Sequence, residues 1–186
     1  MLTKVQKQKI NRLFTVCDAD HNGLLEVSDF DRVSRSLAAI RGHAEGSPGY
    51  AAIRARYAAW GESAAPFMPG GRMTMREHLA FHEAALGEPA AFDALLGAMA
   101  DTIFEVLDAD GDGRITPDEL AGFYRAYEIE GDVAAGVFPR LDADCDGALS
   151  RGDIRAAVAQ FYRSDDPAAP GNWLFGPWES APVEPA

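Results

Sequence analysis

The chain has 186 residues, 47% of them hydrophobic, enough for one large domain or two small fused ones with a proper core. Its formal net charge is −12 at pH 7, the wrong sign for a protein that neutralises phosphates, which argues against nucleic-acid binding. No apolar run approaches the roughly eighteen residues that span a bilayer, and the first ten residues carry neither a signal-peptide core nor a Met-Gly start, so a chain without membrane span, leader or myristoyl anchor is expected.

Ile10, Leu13, Phe14 and Cys17 recur at helical spacing and predict a first helix. It runs into a stretch with Asp18, Asp20 and Asn22 at alternate positions, then Gly23, Leu25, Glu26 and Asp29. Counted from Asp18, oxygen side chains stand at positions 1, 3, 5, 9 and 12, glycine at 6 and an aliphatic residue at 8. Phe30, Val33, Leu37 and Ile40 mark the apolar face of the helix that leaves it. A glycine-bounded link, 42–49, leads to a further helix with Tyr50, Ile53, Tyr57 and Trp60 inward.

The next loop keeps half the pattern. Gly71 to Glu77 fit positions 6 to 12, with Met73 at position 8. Counting back places Pro66, Met68 and Gly70 at 1, 3 and 5, none with a side-chain oxygen. This unit is expected to hold no ion, since Glu77 alone cannot, while Met73 still faces Leu25. The helix after it runs through Leu79 and Leu86. His78 and His82 lie four apart on it, beside Glu77 and Glu83, and are expected on a polar face; zinc would need at least a third ligand, and no His-Glu-x-x-His motif is present. The link from Leu86 to Ala90 is short.

The full pattern returns twice. Ile103, Phe104 and Leu107 precede Asp108, Asp110, Asp112, Gly113, Ile115, Thr116 and Glu119; Pro117 starts the helix carrying Leu120, Phe123, Tyr124 and Tyr127. Val133, Val137, Phe138 and Leu141 precede Asp142, Asp144, Asp146, Gly147, Leu149, Ser150 and Asp153; Ile154, Val158 and Phe161 follow. From Ser164 the chain turns rich in Pro and Ala, yet carries Trp173, Leu174, Phe175 and Trp178. A disordered tail seldom concentrates aromatics in this way, so docking into an apolar groove of the body is expected.

The spacing points to calcium, a hard cation that takes six to eight oxygens at roughly 2.3–2.6 Å. Short acids at 1, 3 and 5 converge as the loop winds, and glycine at 6 supplies the positive φ of the turn. Position 7 (Leu24, Arg114, Ala148) gives its backbone carbonyl, so its side chain is free to vary. Position 9 (Glu26, Thr116, Ser150) reaches the ion directly or through water, and position 12 (Asp29, Glu119, Asp153) closes the shell. This is the EF-hand calcium loop. Acidic turns without metal and a dockerin-like calcium module are the rivals. Apolar helical periodicity flanks all three loops, against the first, and the interval from Asp108 to Asp142 has room for two full helices, against the second. Eleven of the 29 acidic residues stand at positions 1, 3, 5 and 12, and three bound ions would halve the formal charge. The acidity is therefore mostly ligand.

Three intact hands, a degenerate second hand, a long first pair and the closing segment around Trp173 resemble the four-EF-hand sarcoplasmic calcium-binding protein family, including the bacterial calerythrins. The resemblance covers nearly the whole chain. It implies an all-α globule of two EF-hand pairs packed face to face, and calcium buffering or transport. The expected units are 1–87 (hands 1 and 2), 88–163 (hands 3 and 4) and the docking tail 164–186. Glu119 can offer both oxygens, whereas Asp29 and Asp153 are one methylene shorter. Hand 3 is therefore expected to be the most calcium-selective, and the 18–29 and 142–153 sites weaker or Mg²⁺-tolerant. Only five Met are present, not clustered as in a sensor groove, so a buffer is favoured over a sensor that opens to regulate a target. No phosphate loop, nucleophile elbow or triad pattern is present, and no enzyme is expected. Cys17 and Cys145 read as free thiols of a reducing cytoplasm. The expected state is a monomer without an obligatory protein target.

Overall fold

The computed structural model describes residues 1–64, 68–129 and 132–179, with backbone alone for 59–64, 69, 89–91, 94 and 95. Pro66, the Trp60 side chain and the tail beyond 179 lie outside the described residues. Among the described residues, eight α-helices follow in order: α1 (Lys4–Cys17), α2 (Val27–Ile40), α3 (Pro48–Ala64), α4 (Met75–Leu86), α5 (Pro89–Leu107), α6 (Pro117–Ala126), α7 (Val133–Leu141) and α8 (Arg151–Arg163). Two short strands, β1 (Leu24–Glu26) and β2 (Arg72–Thr74), and two 3₁₀ turns, Pro69–Gly71 and Pro170–Trp173, lie between and after them among the described residues.

Helix starts follow from local chemistry. Thr3 caps α1: its hydroxyl accepts from the Gln6 N–H at 3.2 Å and its N–H donates to Gln6 Oε1 at 3.0 Å. Helices α4, α6 and α8 begin on the same reciprocal device, Thr74 with Glu77, Thr116 with Glu119 and Ser150 with Asp153. These pairs are positions 9 and 12 of the loops. The position-12 acid is thus also the one that accepts the N–H of the residue capping the exiting helix, while that residue's hydroxyl accepts the acid's own N–H. Glu77 performs this duty in a loop that has no acid at positions 1, 3 and 5.

The hands pair through minimal sheets. Strands β1 and β2 run antiparallel with Leu25 opposite Met73. In the other pair Ile115 and Leu149 exchange two backbone bonds, at 2.9 and 2.8 Å. Helices pack as α1 on α4, α2 on α3, α5 on α8 and α6 on α7, and across the halves as α2 on α6, α1 on α8 and α4 on α5. One continuous apolar cluster, from Leu13 through Leu37, Met73, Phe104 and Leu120 to Phe161 and Phe175, fills both halves.

Residues 170–178 pack against α8, α7 and α1. Leu174, Phe175 and Trp178 are buried, each worth roughly 1.5–3 kcal/mol of apolar burial. Polar ties hold the backbone down: Tyr124 Oη donates to the Leu174 carbonyl at 3.1 Å, and Arg12 Nε to that of Phe175 at 3.1 Å. The Arg140 guanidinium stacks over Trp173 at 4.4 Å. Gly171 is required here, because a Cβ would sit 2.4 Å from the Ala157 carbonyl oxygen of α8.

Two expectations are corrected by the structure. His78 and His82 do not form a solvated polar face; they are 7% and 4% exposed. Helix α4 turns this stripe against α1 and α8, with His78 against Phe14 (5.6 Å between centroids) and His82 stacked on Tyr162 (5.2 Å). Leu79 and Leu86 flank that buried stripe and are half-buried. Ile40 is 40% exposed at the end of α2, where it touches α6 near Gly122 from one side only.

Candidate metal centres

Each intact loop is organised by hydrogen bonds that aim its carboxylates inward. The position-1 acid accepts the N–H of the position-6 glycine: Asp18 from Gly23 at 2.9 Å, Asp108 from Gly113 at 3.1 Å and Asp142 from Gly147 at 3.0 Å. The position-5 side chain accepts the N–H two residues on: Asn22 from Leu24, Asp112 from Arg114 and Asp146 from Ala148, at 2.8, 2.8 and 3.0 Å. The glycines at position 6 adopt φ of 82°, 85° and 83°, the left-handed conformation that the turn demands.

Three groups of carboxylates result: Asp18, Asp20 and Asp29; Asp108, Asp110 and Asp112; Asp142, Asp144 and Asp146. Within each, one oxygen from every residue lies within 4.8 Å of the others. That span fits ligands on opposite sides of an ion at roughly 2.4 Å. The donor set is all oxygen and strongly anionic, which suits a hard divalent cation and not a soft metal. Leu24, Arg114 and Ala148 place their carbonyls at position 7, and Glu26, Thr116 and Ser150 stand at position 9, where each exiting helix begins.

The closing acids differ. Glu119 spans its loop, accepting the Ala109 N–H on one oxygen at 2.7 Å and the Thr116 N–H and hydroxyl on the other at 2.8 and 2.9 Å. Burial opposes its ionisation, but these donors outweigh it and hold the carboxyl below its ordinary range. Asp29, though shorter, also crosses, accepting from Ala19 at 3.1 Å and Glu26 at 2.8 Å. Burial pushes its carboxyl upward against those two N–H donors. Asp153 accepts from the Ser150 N–H and hydroxyl, at 2.8 and 2.6 Å, and makes no bond across its loop among the described residues.

Two arginines near the loops carry no signal in the sequence. Arg114, at a position where the side chain is free to vary, pairs with Asp146 of the neighbouring loop at 2.9 Å. Arg41, from the end of α2, lines with Arg56 a groove of about 410 Å³ beside Asp108 and Asp110. Sequence spacing shows neither, because both placements arise only when hands come together. The decayed loop shows the opposite. Gly70 and Gly71 keep positive φ, Met68 is buried, and no carboxylate group forms there among the described residues.

An EF-hand family model matches residues 99–124, the stretch that holds the 108–119 loop. The sarcoplasmic calcium-binding protein beta chain of Penaeus sp. is 30% identical over 179 residues, spanning 86% of this chain and 89% of its own. The chain belongs to the sarcoplasmic calcium-binding protein family. Calerythrin of Saccharopolyspora erythraea is 25% identical over 167 residues, covering 87% of this chain and 94% of calerythrin. Among solved structures, a Streptomyces coelicolor calcium-binding protein superimposes with a TM-score of 0.70 at 25% identity, over 84% of this chain and 97% of its own. Like its sarcoplasmic calcium-binding protein relatives, this chain binds calcium through EF-hands and is not an enzyme.

Proposed function

We propose that the protein is a calcium buffer or transporter of the cytoplasm with three sites, 18–29, 108–119 and 142–153, and acts as a monomer without an obligatory target. The observation that carries the buffer reading is the docked tail. Leu174, Phe175 and Trp178 occupy the apolar surface around α1, α8 and Tyr124 that a sensor would offer to a partner helix. Cys17 and Cys145 are both free, which suits a reducing compartment. Residues 1–87 and 88–163 act as two metal-binding pairs, bound to each other by the shared core.

The ligands proposed are Asp18, Asp20, Asn22, Leu24, Glu26 and Asp29; Asp108, Asp110, Asp112, Arg114, Thr116 and Glu119; and Asp142, Asp144, Asp146, Ala148, Ser150 and Asp153. Leu24, Arg114 and Ala148 act through their carbonyls. The longer acid at Glu119 makes hand 3 the most calcium-selective, with hand 1 next and hand 4, whose Asp153 stays on its cap, the most tolerant of Mg²⁺. Equilibrium calcium binding at fixed Mg²⁺ tests this. The intact chain should take three ions, and Glu119→Gln should remove the tightest. A tightest site at 18–29, or an unchanged profile in that variant, would refute the ranking.

A regulatory reading has one observation in its favour. The Streptomyces coelicolor protein that this chain resembles is described in terms of prokaryotic calcium-mediated regulation. On that reading calcium would lift the tail from its groove.

A further inference from the structure

We infer that Arg114 sets the calcium affinity of the neighbouring hand: placed by hand 3, it is a built-in counter-cation on the 142–153 loop. The inference rests on the reading of that loop as a calcium site. It is not a ligand role, since only the backbone carbonyl of Arg114 belongs to its own loop. Its side chain leaves that loop.

The geometry is fixed by the bridge between the hands. Ile115 and Leu149 exchange two backbone hydrogen bonds, which sets the two loops side by side in one register. The residue before Ile115 is Arg114, and its Nη2 reaches Asp146 Oδ2 at 2.9 Å. The other oxygen of Asp146 accepts the Ala148 N–H at 3.0 Å, the bond that shapes the loop. Both oxygens of this ligand are therefore engaged, one by its own loop and one by a cation from outside. The corresponding oxygen of Asp112 in hand 3 has no such cation among the described residues, although its loop makes the same backbone bonds. At the equivalent place in hand 4, position 7 is Ala148, so the arrangement is one-sided.

Two opposing effects decide the sign. The pair is about half exposed on both sides, so its own contribution to stability is small. Holding Asp146 in place would favour the ion slightly. Against this, a unit positive charge within roughly 6–8 Å of a divalent ion repels it, and the guanidinium competes for an oxygen that the ion needs. The repulsion acts on a double charge and outweighs the gain from positioning. Arg114 therefore lowers calcium affinity at 142–153, by about three- to tenfold at low salt. It adds to the shortness of Asp153 in making this the weakest site.

The test uses the full chain and amide NMR during a calcium titration. Gly147 and Gly23, the position-6 glycines, report hands 4 and 1 separately, because each N–H bonds the position-1 carboxylate. Arg114→Gln should lower the Gly147 midpoint three- to tenfold and leave the Gly23 midpoint unchanged. Arg114→Lys, which keeps the charge, should stay near the parent. The gap between parent and Arg114→Gln should shrink in 1 M salt, where screening shortens to about 3 Å. A Gly147 midpoint unchanged or raised in Arg114→Gln overturns the inference while leaving the site intact. A Gly147 amide that never responds to calcium in the parent removes the site, and the inference with it.

Discussion

At the scale of single residues, the proposed ligands at positions 1, 3, 5 and 12 were legible in the sequence by spacing alone. Their spacing is a property of the local chain, so no tertiary knowledge is needed to place Asp18, Asp108 or Asp142 in a loop. Lys9 is the contrary case. It is fully buried on α1, and its Nζ donates to the carbonyls of Gln160 and Ser164, at 3.1 and 2.7 Å, and to Asn172 Oδ1 at 2.7 Å. It thus ties α1 to the end of α8 and to the tail. Burial lowers its pKa to about 8, against the pull of Asp165. Nothing in the local sequence marks a lysine for the interior; its partners are distant in the chain and come near only in the fold. Lys9→Met would remove the lysine donor from the Ser164 carbonyl and Asn172 Oδ1, while the Gln160 carbonyl keeps the Ser164 N–H, and is expected to cost about 3 kcal/mol. Urea unfolding of the calcium-loaded protein measures it, and a midpoint equal to the parent's would show that the tie contributes nothing.

At the scale of elements, pairing was legible in the sequence and packing face was not. The decayed loop kept position 8, so its spacing alone places Met73 against Leu25. Helix α4 shows the limit. Its apolar residues suggested one face, but the stripe through His78 and His82 is the one that meets α1 and α8. The two Nε2 atoms lie 3.0 Å apart, and both Nδ1 atoms are buried without a hydrogen-bond partner among the described residues. Burial holds His78 down to about 3 and His82 well below its ordinary value, with the proximity of His78 adding to the second. The unfolded chain protonates these imidazoles from about pH 6.5 downward, while the folded chain does not. Their contribution is therefore lost as pH falls below 6.5, by up to about 1.4 kcal/mol per pH unit for each histidine. Chemical unfolding in chelator between pH 7.5 and 5.5 should show this slope, and His78→Phe with His82→Phe should flatten it. An equally steep slope in the double variant would place the acid sensitivity elsewhere.

At the scale of the whole molecule, one core and three acidic loops oppose each other. The core holds both halves and the tail together. The loops place four carboxylates each at positions 1, 3, 5 and 12 in hands 3 and 4, which repel one another until an ion enters. An ion that binds only the folded state adds about 4.1 kcal/mol per site at a thousandfold excess over its Kd. The tail already covers apolar surface, so calcium should tighten the globule and open nothing. The most direct test is binding of a hydrophobic fluorescent dye, first in EDTA and then in saturating calcium at fixed Mg²⁺. A fall in dye binding on adding calcium is the result expected of a buffer that closes around its ions. A rise would mean that calcium uncovers an apolar face, contradict the buffer reading and make the protein a sensor.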